Sequence, residues 1–347
     1  MYHDQARRSA VAKTTQNPVK GRSNGTCAAA QDPFPRNIGL SLRDSETVGS
    51  EKNSCNDPRE RRVKLGRMRY GIVIPGGEPR GQCEMAQAAE EAGWDAVFVP
   101  DGIAIQDFSG KPMALFDPWV MLAAIAAMTE RIRMGPLIAA VPRRRPWKLA
   151  RETGTVDHLS NGRLILAAGL GAAPDDGGFS KVGEPTDLKT RAELMDECLA
   201  IVDGLWTGKP FSFAGKHYHV DEMSMVPPPV QKPRILTWVV GVWPKLKSMN
   251  RVLRWDGIVV QKYKGEPGQK ADPEDIKAIR EFVGKHRESS SPFDIVTGGR
   301  TPKKNPKSVL PHVKSLADAG ATWWLEEMWS MSEKDYRPRI EQGPPKY

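Results

Sequence analysis

From Met68 onward the chain alternates between short β-rich runs and amphipathic or Ala-rich stretches, and it does so eight times. The β-rich runs fall at 70–74, 95–99, 131–138, 163–168, 234–240, 256–260, 293–297 and 322–326. The helical stretches follow at 81–92, 118–128, 146–159, 187–206, 245–254, 272–286, 305–318 and 333–341. Strict β-then-α alternation demands a parallel sheet, because each crossover returns the chain to the same end. Eight units in roughly 250 residues predict a closed (β/α)8 TIM barrel of the α/β class rather than an open sheet.

Local punctuation supports these boundaries. Ala92-Gly93 and Ala319-Gly320 place a glycine just past a helix, where a left-handed cap is expected. Asp117-Pro118 and Asp272-Pro273 each put a capping acid before a first-turn proline. Asn161-Gly162 predicts a tight turn into the fourth strand. Residues 207–232 do not fit a minimal barrel. Phe211 to His219 reads as a hairpin turning at Ala214-Gly215, followed by the stiff run Val226-Pro227-Pro228-Pro229-Val230. This excursion between helix four and strand five is expected at the N-terminal face, in a packing or oligomer role. Trp323-Trp324 should point alternately into the barrel and out against helices.

Residues 1–67 read differently. They show no sustained period of 2 or 3.6, and Ser, Asn, Gly, Pro, Arg, Lys and Asp dominate. Such a segment buries too little apolar surface to offset its ordering entropy, so a disordered N-terminal extension is expected, with the barrel domain at 68–347. Two readings of the extension stand: a leader upstream of a natural start near Met68, or a genuine basic arm. More than half of the net charge of +9 lies in it. Nucleic acid is therefore not an expected partner of the barrel itself. The tight cluster Arg143-Arg144-Arg145 is read as a solvated surface patch, with anion binding as the other reading. Cys27, Cys55, Cys83 and Cys198 are scattered without a C-x-x-C, which implies a reducing, cytoplasmic compartment. No apolar run approaches the ~18 residues of a membrane span. No apolar stretch follows Arg7-Arg8, so no secretion signal is expected.

Barrel enzymes react at the C-terminal ends of their strands. Those ends read Pro75-Gly76-Gly77, Pro100-Asp101-Gly102, Ile138-Ala139-Ala140, Gly169-Leu170-Gly171, Gly241-Val242-Trp243, Gly298-Gly299-Arg300 and Glu326-Glu327. Glycine lets a backbone approach a flat ring or a phosphate, so their number at one rim is notable. His217 and His219 alternate on the hairpin without a carboxylate pair on the reactive rim, and no metal site is expected. His158 falls inside helix three, where a structural role is expected. No P-loop, G-x-S-x-G or Cys-His arrangement appears.

Several runs resemble the luciferase-like monooxygenase superfamily. They are Asp117-Pro118-Trp119, Thr129 to Gly135, Pro146 to Glu152, Asp157 to Arg163, Gly169-Leu170-Gly171, Arg191 to Glu197 with Leu205-Trp206, and Pro227 to Gln231. The resemblance covers about residues 68–330. It implies an oxidoreductase or monooxygenase acting on a small organic substrate through FMN or the deazaflavin coenzyme F-420, bound edge-on at the C-terminal rim. It implies that the ring lies against Ala139 and Ala140, that Gly169 and Gly171 flank it, and that Gly241, Val242 and Trp243 reach toward its phosphate. Deazaflavin-using members often carry Trp-Asp-His after strand two, the His being placed for proton transfer. Here the run is Val99-Pro100-Asp101-Gly102, and a glycine transfers no proton. Asp101 is left as the candidate catalytic residue, to orient the ring or shuttle a proton, with capping of its own loop as the other role. The apolar loop 102–116, with Phe108, Met113, Leu115 and Phe116, is expected to line the substrate site, and loop 172–186 to act as a lid. A non-catalytic flavin-binding barrel acting as sensor or regulator is the alternative, and a homodimer is left open.

Overall fold

The computed structural model describes residues 67–106, 110–171, 178–263, 269–329 and 333–345. Its main sheet consists of parallel strands β1 (Arg69–Val73), β2 (Ala96–Val99), β3 (Arg133–Pro136), β4 (Ala139–Ala140), β5 (Ile165–Gly169), β8 (Leu236–Trp243), β9 (Gly257–Lys262), β10 (Asp294–Gly299) and β11 (Trp323–Glu326). The order is β3-β2-β1-β11-β10-β9-β8-β5-β4. Since β3 and β4 are two pieces of one barrel strand, the order closes on itself, and a parallel bridge between Met134 and Leu164 joins the seam. The expected continuous strand at 131–138 is therefore corrected. It breaks at Leu137-Ile138, whose peptide is cis, and resumes as β4. Gly135 is required at this seam, because a Cβ there would collide with the backbone carbonyl of Ile165.

Eight helices cover the barrel: α1 (Pro79–Glu91), α2 (Pro118–Met128), α3 (Pro146–Leu159), α4 (Leu188–Trp206), α5 (Leu246–Val252), α6 (Pro273–His286), α7 (Leu310–Ala319) and α8 (Glu333–Glu341). Their starts follow the expected chemistry. The Asp117 side chain accepts from the N–H groups of Trp119 and Val120, and Asp272 forms a reciprocal cap with Asp275. Asn161 and Gly162 take φ of 51° and 79°, the left-handed pair a tight turn needs. The excursion forms the antiparallel hairpin β6 (Phe211–Ala214) and β7 (His219–Met223). Its turn docks on α4, where Glu197 accepts the N–H groups of Lys216, His217 and Tyr218. The proline run is fastened to α3 by His158 Nε2 on Pro228 O at 2.8 Å and by Arg151 on Val226 O at 2.9 Å.

Two cores result. One lies between sheet and helices and includes Ile72, Leu122, Leu166, Val239, Ile258 and Trp324. The other fills the lumen with Val73, Phe98, Ile165, Trp238, Trp323 and Leu325. Trp323 faces in and Trp324 out, as strand alternation requires. Trp238 lies 5.7 Å from Phe98 and 5.0 Å from Trp323 between ring centroids, so the lower lumen is plugged by aromatic rings. The motif Asp157 to Arg163 is structural. Arg163 donates to the carbonyls of Ala126, Thr129, Ile132 and Ser160, closing the end of α2 onto the start of β5. Asp157 accepts from the backbone and side chain of Gln231.

Candidate active site

Three lumen-facing apolar side chains, Ile138, Val259 and Trp329, are only partly buried where the lumen core ends. Val240, two residues beyond the plugged Trp238, adjoins Ile138: a Cβ on Gly169 would meet both, at 2.7 and 3.1 Å. Together they form an apolar floor at the C-terminal mouth. Glu327 stands at its edge. Its carboxylate lies over Gly298, where a Cβ would come within 2.9 Å of Oε1, and that oxygen accepts from Lys270 Nζ at 2.5 Å. The Glu327 side chain keeps about a fifth of its surface open, whereas its neighbour Glu326 is fully buried and bonded to Thr301 and Arg339. An apolar surface with one open, paired carboxylate can receive a flat aromatic body and exchange a proton at its edge.

Asp101 is placed differently from its sequence neighbours. Its side chain is fully buried and its oxygens are all engaged. Oδ2 accepts the Ala140 N–H at 3.0 Å; Oδ1 accepts Arg144 at 2.7 Å and Arg143 in a short contact. The solvated patch expected at Arg143-Arg144-Arg145 is thus corrected for two of its members. Arg143 and Arg144 fold inward around Asp101, and only Arg145 is exposed. Burial pulls the Arg143 guanidinium below its usual basicity, and the Asp101 charge opposes that pull. Both arginine Nε atoms remain buried without a partner.

The rim glycines are occupied by the protein's own side chains. A Cβ on Gly171 would strike the Phe179 ring at 2.7 Å, and one on Gly241 would strike Ile258 on the helix side of the sheet. Phe179 is itself covered by Arg191, whose guanidinium carbon lies 3.9 Å from the ring centroid. Gly102 is filled by Ile105. Ala139 and Ala140 are buried beneath this arrangement. The Val242 N–H donates to Ser248 Oγ at 2.9 Å, and Trp243 turns to the helix layer, 6.0 Å from Phe282. Of the sequence candidates, Ala140 and Gly169 thus pair beside the floor, with Asp101 bonded to the Ala140 N–H, while Ala139, Gly241 and Trp243 face the helices.

Loop 102–116 folds back through a Gln106–Pro112 bridge and returns beside Gly76. Phe108 lies outside the described residues, as do 172–177 of the loop expected to be a lid. Where that loop resumes, Gly178 packs against Ile103 and Ala104, so the two loops touch. His217 pairs with Glu193, at 3.0 Å, and His219 with Asp221. Among the described residues no group of three His, Cys, Asp or Glu is arranged to hold a metal ion. Among them, too, no helix is long and apolar enough to cross a membrane.

A nearly closed parallel barrel with an apolar floor and an ionisable edge at its C-terminal mouth defines a (β/α)8 architecture. The chain belongs to the luciferase-like monooxygenase family, whose sequence model matches residues 66–301. This is a family of flavin- and F420-dependent oxidoreductases. Uncharacterized proteins of Mycobacterium bovis and Mycobacterium tuberculosis are 31% identical over 232 residues, 61% of this chain and 74% of theirs. An F420-dependent secondary alcohol dehydrogenase in complex with an F420–acetone adduct superposes with a TM-score of 0.64 at 16% identity, covering 80% of this chain and 98% of that one. The F420-dependent tetrahydromethanopterin reductase of Methanopyrus kandleri gives 0.60 at 16%, covering 79% and 96%. The FMN-bound Baeyer–Villiger monooxygenase of Pseudomonas putida gives 0.51 at 19%, covering 70% and 71%. At these identities the solved structures speak for the fold.

Proposed function

We propose that the protein is a flavin-dependent oxidoreductase, taking FMN or F420 at the C-terminal mouth and acting on a small organic substrate in a reducing, cytoplasmic compartment. The observation that carries this reading is the floor of Ile138, Val240, Val259 and Trp329, a partly open apolar surface with a carboxylate–ammonium pair at its edge. The bound cofactor would supply hydride or oxygen chemistry, and the barrel supplies binding, orientation and exclusion of water.

Within this reading Ala140 presents a small side chain beside the floor, Ala139 backs it from the helix side, and Asp101 is a positioning residue. It ties the end of β2 to the Ala140 N–H and anchors the turn that carries Arg143 and Arg144. Glu327 is the group that holds or moves a proton at the mouth, with Lys270 as its counter-charge. The loops that meet at Gly178 exclude water.

Fluorescence titration with FMN and with F420, followed by consumption assays of each reduced cofactor with and without oxygen, tests the reading. Binding of one cofactor, lost in Ile138→Asp, is the expected result. Failure of both to bind would sink it, and tight binding with no turnover on any substrate would assign the barrel to sensing. Glu327→Gln should lower kcat by about 10²-fold or more at unchanged cofactor affinity, the range of general acid–base contributions.

A further inference from the structure

We propose that the N-terminal end of the barrel carries a second binding site, for a small oxyanion held by Arg133 and Arg69. A cavity of about 380 Å³ opens there, lined among others by Arg69, Glu90, Asp95, Arg131, Arg133 and Trp323. Apart from Glu90, in the last turn of α1, these residues sit at or just before the starts of β1, β2, β3 and β11, the end opposite the floor described above.

The charges do not balance locally. Both lining carboxylates are already engaged. Glu90 accepts the backbone N–H groups of Glu130, Arg131 and Ile132 at 2.5 to 3.3 Å. Asp95 accepts the Tyr70 N–H at 2.8 Å and Arg67 at 3.3 Å. Asp294, below the cavity, is shared by Arg69 at 2.6 Å, Thr322 at 2.9 Å and Trp238 at 3.1 Å.

Arg133 is left over. Its side chain is half-buried, its Nη1 is buried with no hydrogen-bond partner, and no ion pair reaches it among the described residues. Burial and the neighbouring Arg69 charge depress its basicity, while the Asp294 and Asp157 charges work the other way. Arg69 lies flat over the Trp323 ring, 4.7 Å from its centroid, with about two-fifths of its side chain open, so it keeps free N–H groups beside its bond to Asp294. Two guanidiniums at the wall of one cavity, one without an ion-pair partner among the described residues, concentrate positive charge and N–H donors that suit an oxyanion, a carboxylate or a phosphate.

Calorimetric titration of the full chain with inorganic phosphate, and separately with acetate, at constant ionic strength tests this site. The expected result is saturable binding of at least one, weakened at least about tenfold in Arg133→Met, a loss of about 1.4 kcal/mol. The exposed Lys277→Met on α6 should bind within about twofold of the native chain, the range of surface substitutions. Phosphate alone would assign the site to phosphate groups; acetate as well would assign it to carboxylates. Arg133→Lys, which keeps the charge but not the guanidinium, is the second variant should Arg133→Met fail to fold, and it too should bind more weakly. Binding of neither anion overturns the proposal. So does equal binding by the native chain and the Arg133 variants, which would put the anion elsewhere, including the cofactor mouth.

Discussion

Asp101 holds two guanidiniums with one carboxylate, out of contact with water. Removing it strands two nearly buried cations, and breaking such a set costs about 3–5 kcal/mol. Asp101→Ala should therefore lower the denaturant midpoint sharply, and whatever activity survives should keep its pH profile. A change in the acid or base limb would instead make Asp101 a proton carrier. Cys198 yields a second residue-level test. Burial pushes its thiol up to about 12, so the native protein holds almost no thiolate there. Iodoacetamide at pH 8 should leave the Cys198 peptide unlabelled until the chain is unfolded, as read by mass mapping. The sequence marked Asp101 through its place after a strand. It could not mark the partners: Arg143 lies 42 residues away, and nothing local distinguishes an inward arginine from a solvated one. Glu327 was visible only as a strand end, since its exposure depends on Gly298 and Lys270 from other elements.

At the scale of elements, periodicity and caps were legible because each is written within a few residues. Asp117-Pro118 fixes the start of α2 without reference to the rest of the chain. Strand three was not legible. Residues 131–138 read as one β-rich run, yet β3 and β4 are separate pieces with Leu137-Ile138 between them, and the seam with Ile165 leaves no room for a side chain at Gly135. The turn that enters this strand is held by Glu90 of α1. Burial disfavours its charge, but three backbone N–H groups and Arg131 more than offset this and hold its carboxyl below the usual range. A depressed carboxylate pKa means stabilisation that is complete above the unfolded pKa and fades as pH falls through the folded one. Glu90→Gln should thus be less stable than the native chain by a constant margin near neutrality. That margin should close as pH falls below about 4.3, followed by urea unfolding at each pH.

For the whole molecule, the family resemblance rests largely on residues that build rather than react. Asp157, Asn161, Gly162 and Arg163 fasten the N-terminal face, far along the strands from the mouth. That explains why architecture and family were readable while the reacting groups were not: fold motifs recur as contiguous runs, and the mouth is assembled from single residues of many strands. The aromatic plug makes a test at this scale. Trp238→Ala empties its centre and strips Asp294 of an indole donor, which should cost about 3–5 kcal/mol and lower the thermal midpoint while helical circular dichroism persists.

The same plug also governs traffic. With Phe98, Trp238 and Trp323 packed across the lumen in tilted and edge-on contacts, the described residues leave no open path from one end of the barrel to the other. Under the proposed function, a product formed at the mouth has to depart by the door through which its substrate arrived. Under the same proposal the contact between Gly178 and the Ile103–Ala104 corner guards exit and entrance alike, so loosening it should speed both.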